Sequence, residues 1–246
     1  MSVELPDLPR MRGVHVLQAF LVVAGLTLGL LVTAFFAYGV LVIFGYEGTT
    51  VLSLPLLFAL EAVAILGGIH YSLVCTGRVS WQELGWVPVR SGWLALAALT
   101  CVAIYVVMIG VQSVLRAISG GIEIGMLPEA FVLFPRSVFG FLGSLVFGAV
   151  AVPIAEEFLF RGLLFRWMRD RWGFSVGAVA SALVFALAHP PAAGSAPMIF
   201  LIGLALAYFY ERSGSLWPSM VLHGVNNGIG ILFIYVALSL GSAPTL

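Results

Sequence analysis

Long apolar runs separated by short polar stretches recur along the chain near residues 14–44, 51–75, 92–116, 137–165, 174–190, 197–211 and 216–240. About 20 helical residues, at 1.5 Å each, cross a hydrocarbon layer of about 30 Å. The pattern therefore predicts seven transmembrane helices. The first run follows MSVELPDLPRMRG, whose Arg10 and Arg12 give it the look of a signal peptide. Its apolar part continues for about 30 residues, against the 7 to 15 of a signal h-region, and no small-residue cleavage site stands out. It reads as an uncleaved first span. Between the second and third runs lies SWQELGWVPV, where Trp81, Leu84, Trp86 and Val87 suit a short helix or turn at the membrane interface, the tryptophans serving as aromatic anchors.

Hydrophobic residues make up 61% of the 246 and charged residues 9%, with a mean hydropathy of +1.12. No ordinary soluble domain has this composition, so the fold class is an all-α, polytopic integral membrane protein. The formal net charge is zero and all basic residues are arginine, leaving no basic surface for nucleic acid. Cys75 and Cys101 lack metal-ligand spacing and read as packing thiols within the membrane. Arginine placement sets the orientation. Arg10, Arg12, Arg78, Arg90, Arg166, Arg169, Arg171 and Arg212 fall on one side if every run crosses. The opposite loops hold Arg116 and Arg136, balanced by Glu123 and Glu129. The positive-inside rule then puts the N-terminus in the cytoplasm and the C-terminus outside. No repeat, linker or low-complexity tract divides residues 1–246, which read as one membrane domain. Within it, 137–235 bear the motifs and 1–136 supply three additional spans.

The candidate chemistry starts at AVPIAEEFLFRG, residues 151–162. A charge at mid-membrane costs about 3 kcal/mol on insertion scales, so it needs a partner or a purpose. Glu157 precedes Arg161 by four residues, the favourable order for an ion pair on one helical face. Glu156, turned about 100° away, is expected to look elsewhere and to share no partner with Glu157. Farther along, Phe185 and His189 are four apart, as are His223 and Asn227, so polar groups project from three helices. With Gly173 as a turn, Glu156 lies 17 residues before it and His189 16 after it, both about 25 Å away and level. His223, nine residues past Gly214, is level only if the last two helices start deeper. Glu61 and His70, nine apart on the second run, fall on opposite faces, with Glu61 a candidate for structure or substrate access.

Two chemistries suit this set. In one, Glu156 and His189 take a proton from water while His223 and Asn227 donate hydrogen bonds to the developing oxyanion. In the other, Glu156, His189 and His223 hold Zn²⁺ that activates the water; no HExxH specifies zinc. Either would hydrolyse a peptide bond. A non-enzymatic membrane protein, such as a bacteriocin-immunity factor or scaffold, would keep these residues for packing, and a transporter is a weaker third choice.

EEFLFR, FALAH and HGVNN resemble the EExxxR, FxxxH and HxxxN motifs of the CPBP family, the CAAX proteases and bacteriocin-processing enzymes also called Abi-type. The resemblance covers about residues 137–235. It implies an intramembrane endopeptidase similar to type II CAAX prenyl endopeptidases, with the active site among the last four helices. It further implies Glu156 and His189 as water activators, His223 and Asn227 as the oxyanion site, and Glu157, Arg161 and Phe185 as structural support. No cofactor is expected, with zinc as the alternative. The implied partners are membrane lipid and a protein or peptide substrate, a prenylated protein or a bacteriocin-type peptide being two candidates. The expected location is a bacterial or archaeal cell membrane.

Overall fold

The computed structural model describes residues 12–43, 53–119, 134–189 and 196–240. All regular structure among them is helical: α1 (Gly13–Ile43), α2 (Leu54–Val74), α3 (Ser91–Ser119), α4 (Val138–Ala188), α5 (Ala196–Ser213) and α6 (Trp217–Ser239). Arg10, Glu123 and Glu129, used above for orientation, lie outside the described residues.

Five of these helices, α1 to α4 and α6, are long and apolar enough to cross a membrane. The protein is thus an all-helical polytopic membrane protein. A crossing count of seven is the expectation of the sequence pattern, because α5, at 18 residues, is not among the five. α4 runs for 51 residues, far more than one bilayer needs, and turns back on itself at Gly173. There φ is 77° and ψ 170°, a backbone conformation that favours glycine. The break leaves a first arm, 138–172, and a second arm, 174–188. Gly214, with φ 71°, makes the corresponding turn between α5 and α6.

The first arm is the spine. α2 and α6 pack along it, α1 covers α2, α3 lies on α6, and α5 fills the angle between the second arm and α6. Apolar side chains such as Leu21, Phe35, Phe36 and Leu187 point outward, as expected where the solvent is lipid.

The tryptophan-rich segment departs from a simple interfacial anchor. Leu84 is fully buried, and Trp81 and Trp86 pack on Phe158 with ring centroids 4.8 and 5.6 Å apart. The backbone at Gly85 accepts a hydrogen bond from Leu216 N (2.9 Å), and Val87 O accepts one from Ser215 Oγ (2.7 Å). Arg166, counted above with the loop arginines, is buried instead. It donates to Glu83 O (2.9 Å) and to the Tyr210 hydroxyl (3.0 Å), which donates to Leu84 O (3.0 Å). Its partners come from sequence positions too remote for local spacing to reveal. Cys101 is buried, whereas Cys75 is exposed at the end of a widened turn, its Sγ 3.2 Å from His70 Nε2; that thiol is not a packing residue.

Candidate active site

The two glutamates sit at the end of a short α-helical stretch, Val152–Glu157, between two eight-residue stretches of wider π-type turns, Ser144–Ala151 and Phe158–Phe165. Such turns often mark functional places in a helix. Proline gives a local reason here. Val152 N bonds Phe147 O, five residues back, so the next bond in that register would run from residue 153 to Gly148 O. Pro153 has no N–H to give. Asn227 Nδ2 donates to Gly148 O instead, at 2.9 Å. The oxygen of Asn227 in turn accepts from Asn226 Nδ2 (3.1 Å), and the Asn226 carbonyl accepts from the Tyr105 hydroxyl (3.2 Å).

Glu157 belongs to a closed polar cluster. Its Oε1 accepts from Arg161 Nη1 at 2.9 Å and lies 2.9 Å from His223 Nδ1. Arg161 also reaches Gly203 O (3.4 Å) and lies over the Phe185 ring at 4.2 Å. That ring contacts His189 and His223 as well, with centroids 4.4 and 5.5 Å away.

Glu156 faces the other way, yet the expectation that it shares no partner with Glu157 is overturned. His223 Nε2 lies 3.4 Å from Glu156 Oε2, while Nδ1 of the same ring meets Glu157. An imidazole has nitrogens on opposite edges, so one ring spans two helical faces that a single point contact could not. His189 Nε2 stands 3.9 Å from the other oxygen, Oε1. His189 Nδ1 is 2.8 Å from Phe185 O; a carbonyl only accepts, so Nδ1 carries a proton, and in the neutral ring Nε2 is the lone-pair nitrogen, on the side of Glu156.

His223 reaches this level because the α5–α6 turn is deep. A Cβ on Gly162 would fall 3.5 Å from Leu216 Cδ1, so Leu216 lies beside Gly162 rather than beside the Gly173 turn. Glu156 is six residues before Gly162 and His223 seven after Leu216, about equal distances along antiparallel helices. Close passage of α6 aids this, since a Cβ at Gly224 would stand 2.6 Å from Ala149 O.

A cavity of about 630 Å³ opens beside Glu156, with His189, Asn227, Asn226, Tyr105 and Glu61 among its lining residues. A second, of about 510 Å³, shares Glu156 and Glu61 and continues toward α1. The structure thus brings Glu156, His189 and His223 together and sets Asn227 on the same cavity, with Glu157, Arg161 and Phe185 behind them. Sequence reasoning passed over Tyr105, Asn226 and the Gly148 carbonyl. Asn226, adjacent to Asn227, and Pro153 within a helix were the available signals; nothing marked Gly148 or Tyr105. Among the described residues no three His, Cys, Asp or Glu side chains gather as a metal site.

Comparison with known proteins adds three findings. No solved structure matches the chain. An "Uncharacterized 24.3 kDa protein" of Escherichia coli is 33% identical over 88 residues, which are 34% of this chain; the chain spans 41% of that relative's length. The motif-bearing segment, residues 138–229, matches the model of the type II CAAX prenyl endopeptidase Rce1-like family.

Proposed function

We propose that the protein is an intramembrane endopeptidase that hydrolyses a peptide bond of a membrane-associated protein or peptide. The observation that carries this reading is a buried carboxylate, Glu156, lining a membrane cavity with one imidazole Nε2 facing each of its oxygens. The 3.9 Å gap between Glu156 Oε1 and His189 Nε2 exceeds a hydrogen bond, and a water about 2.8 Å from each atom would fill it. Glu156 and the lone pair of His189 take the proton of that water as its oxygen attacks the carbonyl carbon. The carbonyl oxygen becomes an oxyanion that accepts from Asn227 Nδ2, whose second N–H is not used by Gly148, and from His223 Nε2. For that nitrogen to donate, His223 must carry a proton on each side, the form that suits a ring between two carboxylates. The proton held by the Glu156–His189 pair then passes to the leaving amine as the C–N bond breaks.

The reading needs no metal ion, and an amide such as Asn227 is a poor zinc ligand. A prenylated protein and a bacteriocin-type peptide both fit as substrates, and the positive-inside rule places the N-terminus in the cytoplasm.

The test is cleavage of a quenched peptide library by detergent-purified protein. Glu156→Gln should lower turnover by about 10²- to 10⁴-fold with folded yield retained, and a chelator should leave the wild type unaffected. Stoichiometric zinc lost together with activity, and both restored by added metal, would overturn the metal-free chemistry. A scaffold that kept the motifs for packing would cleave nothing. Orientation has its own check: the exposed native thiol of Cys75 should react with a membrane-impermeant maleimide only from the cytoplasmic side. Labelling from outside would reverse it.

A further inference from the structure

Asn226 and Asn227 are neighbours on α6, and successive residues of a helix point about 100° apart. Their side chains meet nonetheless. Asn226 Nδ2 donates to Asn227 Oδ1 at 3.1 Å, and Asn227 Nδ2 donates to Gly148 O at 2.9 Å. The carbonyl of Gly148 only accepts, so the nitrogen of Asn227 faces it and the oxygen faces Asn226. That oxygen also only accepts, so Asn226 must present its nitrogen. The orientation of both amides is thereby fixed from one backbone oxygen.

The arrangement leaves Asn226 Oδ1 buried without a hydrogen bond among the described residues. Burying an amide oxygen without a donor is unfavourable, and a leucine of similar size would avoid that cost. Nor does the side chain of Asn226 join two helices, as polar groups in membrane bundles often do, because its bond runs to the next residue of its own helix. The link from α3 is made to the main chain instead, where the Tyr105 hydroxyl donates to Asn226 O at 3.2 Å. What the side chain of Asn226 gains is a hold on Asn227.

A planar amide tied at one atom can pivot about that bond. Asn227, which lines the cavity beside Glu156, is tied at both ends, its nitrogen by the first arm of α4 and its oxygen by Asn226. The plane is therefore set, and with it the direction of the N–H that Gly148 does not take. An oxyanion donor must be in place before the charge develops, since turning it during the reaction would add to the barrier. Resting on the endopeptidase reading and on Asn227 as its oxyanion donor, we infer that Asn226 is a positioning residue that holds the Asn227 amide in the orientation the transition state needs. It acts through Asn227 and not on the reacting atoms.

The role predicts a defect that exists only while Asn227 is present. Asn226→Leu should lower kcat about tenfold, part of the roughly 10²- to 10³-fold lost when an oxyanion donor is removed outright, with KM changed less than about twofold. Asn226→Gln, which keeps the amide on a longer stem, should retain more of the rate. In an Asn227→Ala background, adding Asn226→Leu should change turnover by less than about twofold, because the group it orients is gone. Folded yield of Asn226→Leu should hold, since the substitution removes the unmatched oxygen together with the donor. A similar loss in both backgrounds, a loss confined to KM, or a collapse of folded yield would make Asn226 a packing or substrate-binding group and overturn the inference. A peptide phosphonamidate, whose anionic tetrahedral phosphorus imitates the oxyanion, supplies a readout without turnover. Asn226→Leu should weaken its binding about tenfold, while adding Asn226→Leu to Glu156→Gln leaves the affinity for the matching uncleaved peptide unchanged. Equal affinity for the phosphonamidate with and without Asn226 would likewise overturn the inference. A wild type that binds the phosphonamidate yet cleaves no peptide would count against the endopeptidase reading, with the Asn226 contrast still measured.

Discussion

Glu157 and Glu156 differ less in how deeply they are buried than in what shares the burial. Glu157 is fully covered and closed in by a guanidinium and an imidazole at 2.9 Å each. Glu156 has only longer contacts, 3.4 and 3.9 Å, and opens on two cavities. Adjacent residues on one helix are therefore treated in opposite ways: one oxygen of Glu157 is held by two close cationic or imidazole partners, with its Oε2 left without a hydrogen bond, while Glu156 has no contact so short and faces open space. His223 joins the two sides, so the Glu157–Arg161 cluster holds the ring that faces Glu156. The difference teaches that a buried acid can be left without a short charged contact when its neighbour anchors the ring that faces it.

Breaking the frame should have the largest effect on folding. Arg161→Leu leaves the fully buried carboxylate of Glu157 with His223 as its remaining close partner. Removing one partner of a buried pair costs about 3 to 5 kcal/mol, so folded yield in detergent should fall severely while turnover per folded molecule falls less. Full yield with abolished turnover would assign Arg161 to the reaction instead. The double variant Glu157→Gln with Arg161→Leu sharpens the point, because it removes both charges. Yield should recover in part, since replacing both members of a buried pair is often tolerated. Turnover should stay low, because Nδ1 of His223 has lost its carboxylate. Yield and rate recovering together would mean that the ring needs no anchor.

How much of this was legible in the sequence depends on the range of the interaction. The apolar runs announced the helices, and the turns at Gly173 and Gly214 could be placed because a chain crossing lipid must reverse outside it. Contacts set by helical spacing were also readable, as with Arg161 on Glu157 and Phe185 beside His189. The bridging by His223 was not, because spacing assigns a residue to one face while an imidazole works from two edges. The Gly148 carbonyl became an acceptor through Pro153 and a π-type register, and register is not written in residue identity. Arg166 looked like a cytoplasmic loop charge because Glu83, Leu84 and Tyr210, which bury it, are each more than 40 residues away in sequence. Glu61 was visible as an intramembrane acid, but its side of α2 acquires meaning only once α1 and α4 close the cavity around it.

The smallest effect should come from the other closed cluster on the same arm. Tyr210 is fully buried, accepting from Arg166 Nη1 and donating to Leu84 O at 3.0 Å each. Tyr210→Phe keeps the ring that packs on Phe165 and removes only the hydroxyl. Leu84 O loses its donor and Arg166, whose Nε and Nη2 already lack hydrogen bonds, loses an acceptor. One buried polar group left unmatched costs about 1 to 3 kcal/mol, which thermal unfolding in detergent would register as a lower midpoint. Turnover per folded molecule should change by less than about twofold, because Arg166 is ten residues from Glu156, about 15 Å along the arm. A large loss of turnover at unchanged stability would show instead that the docking of the 79–90 segment is felt at the cavity, and the two closed clusters would then have to be regarded as one.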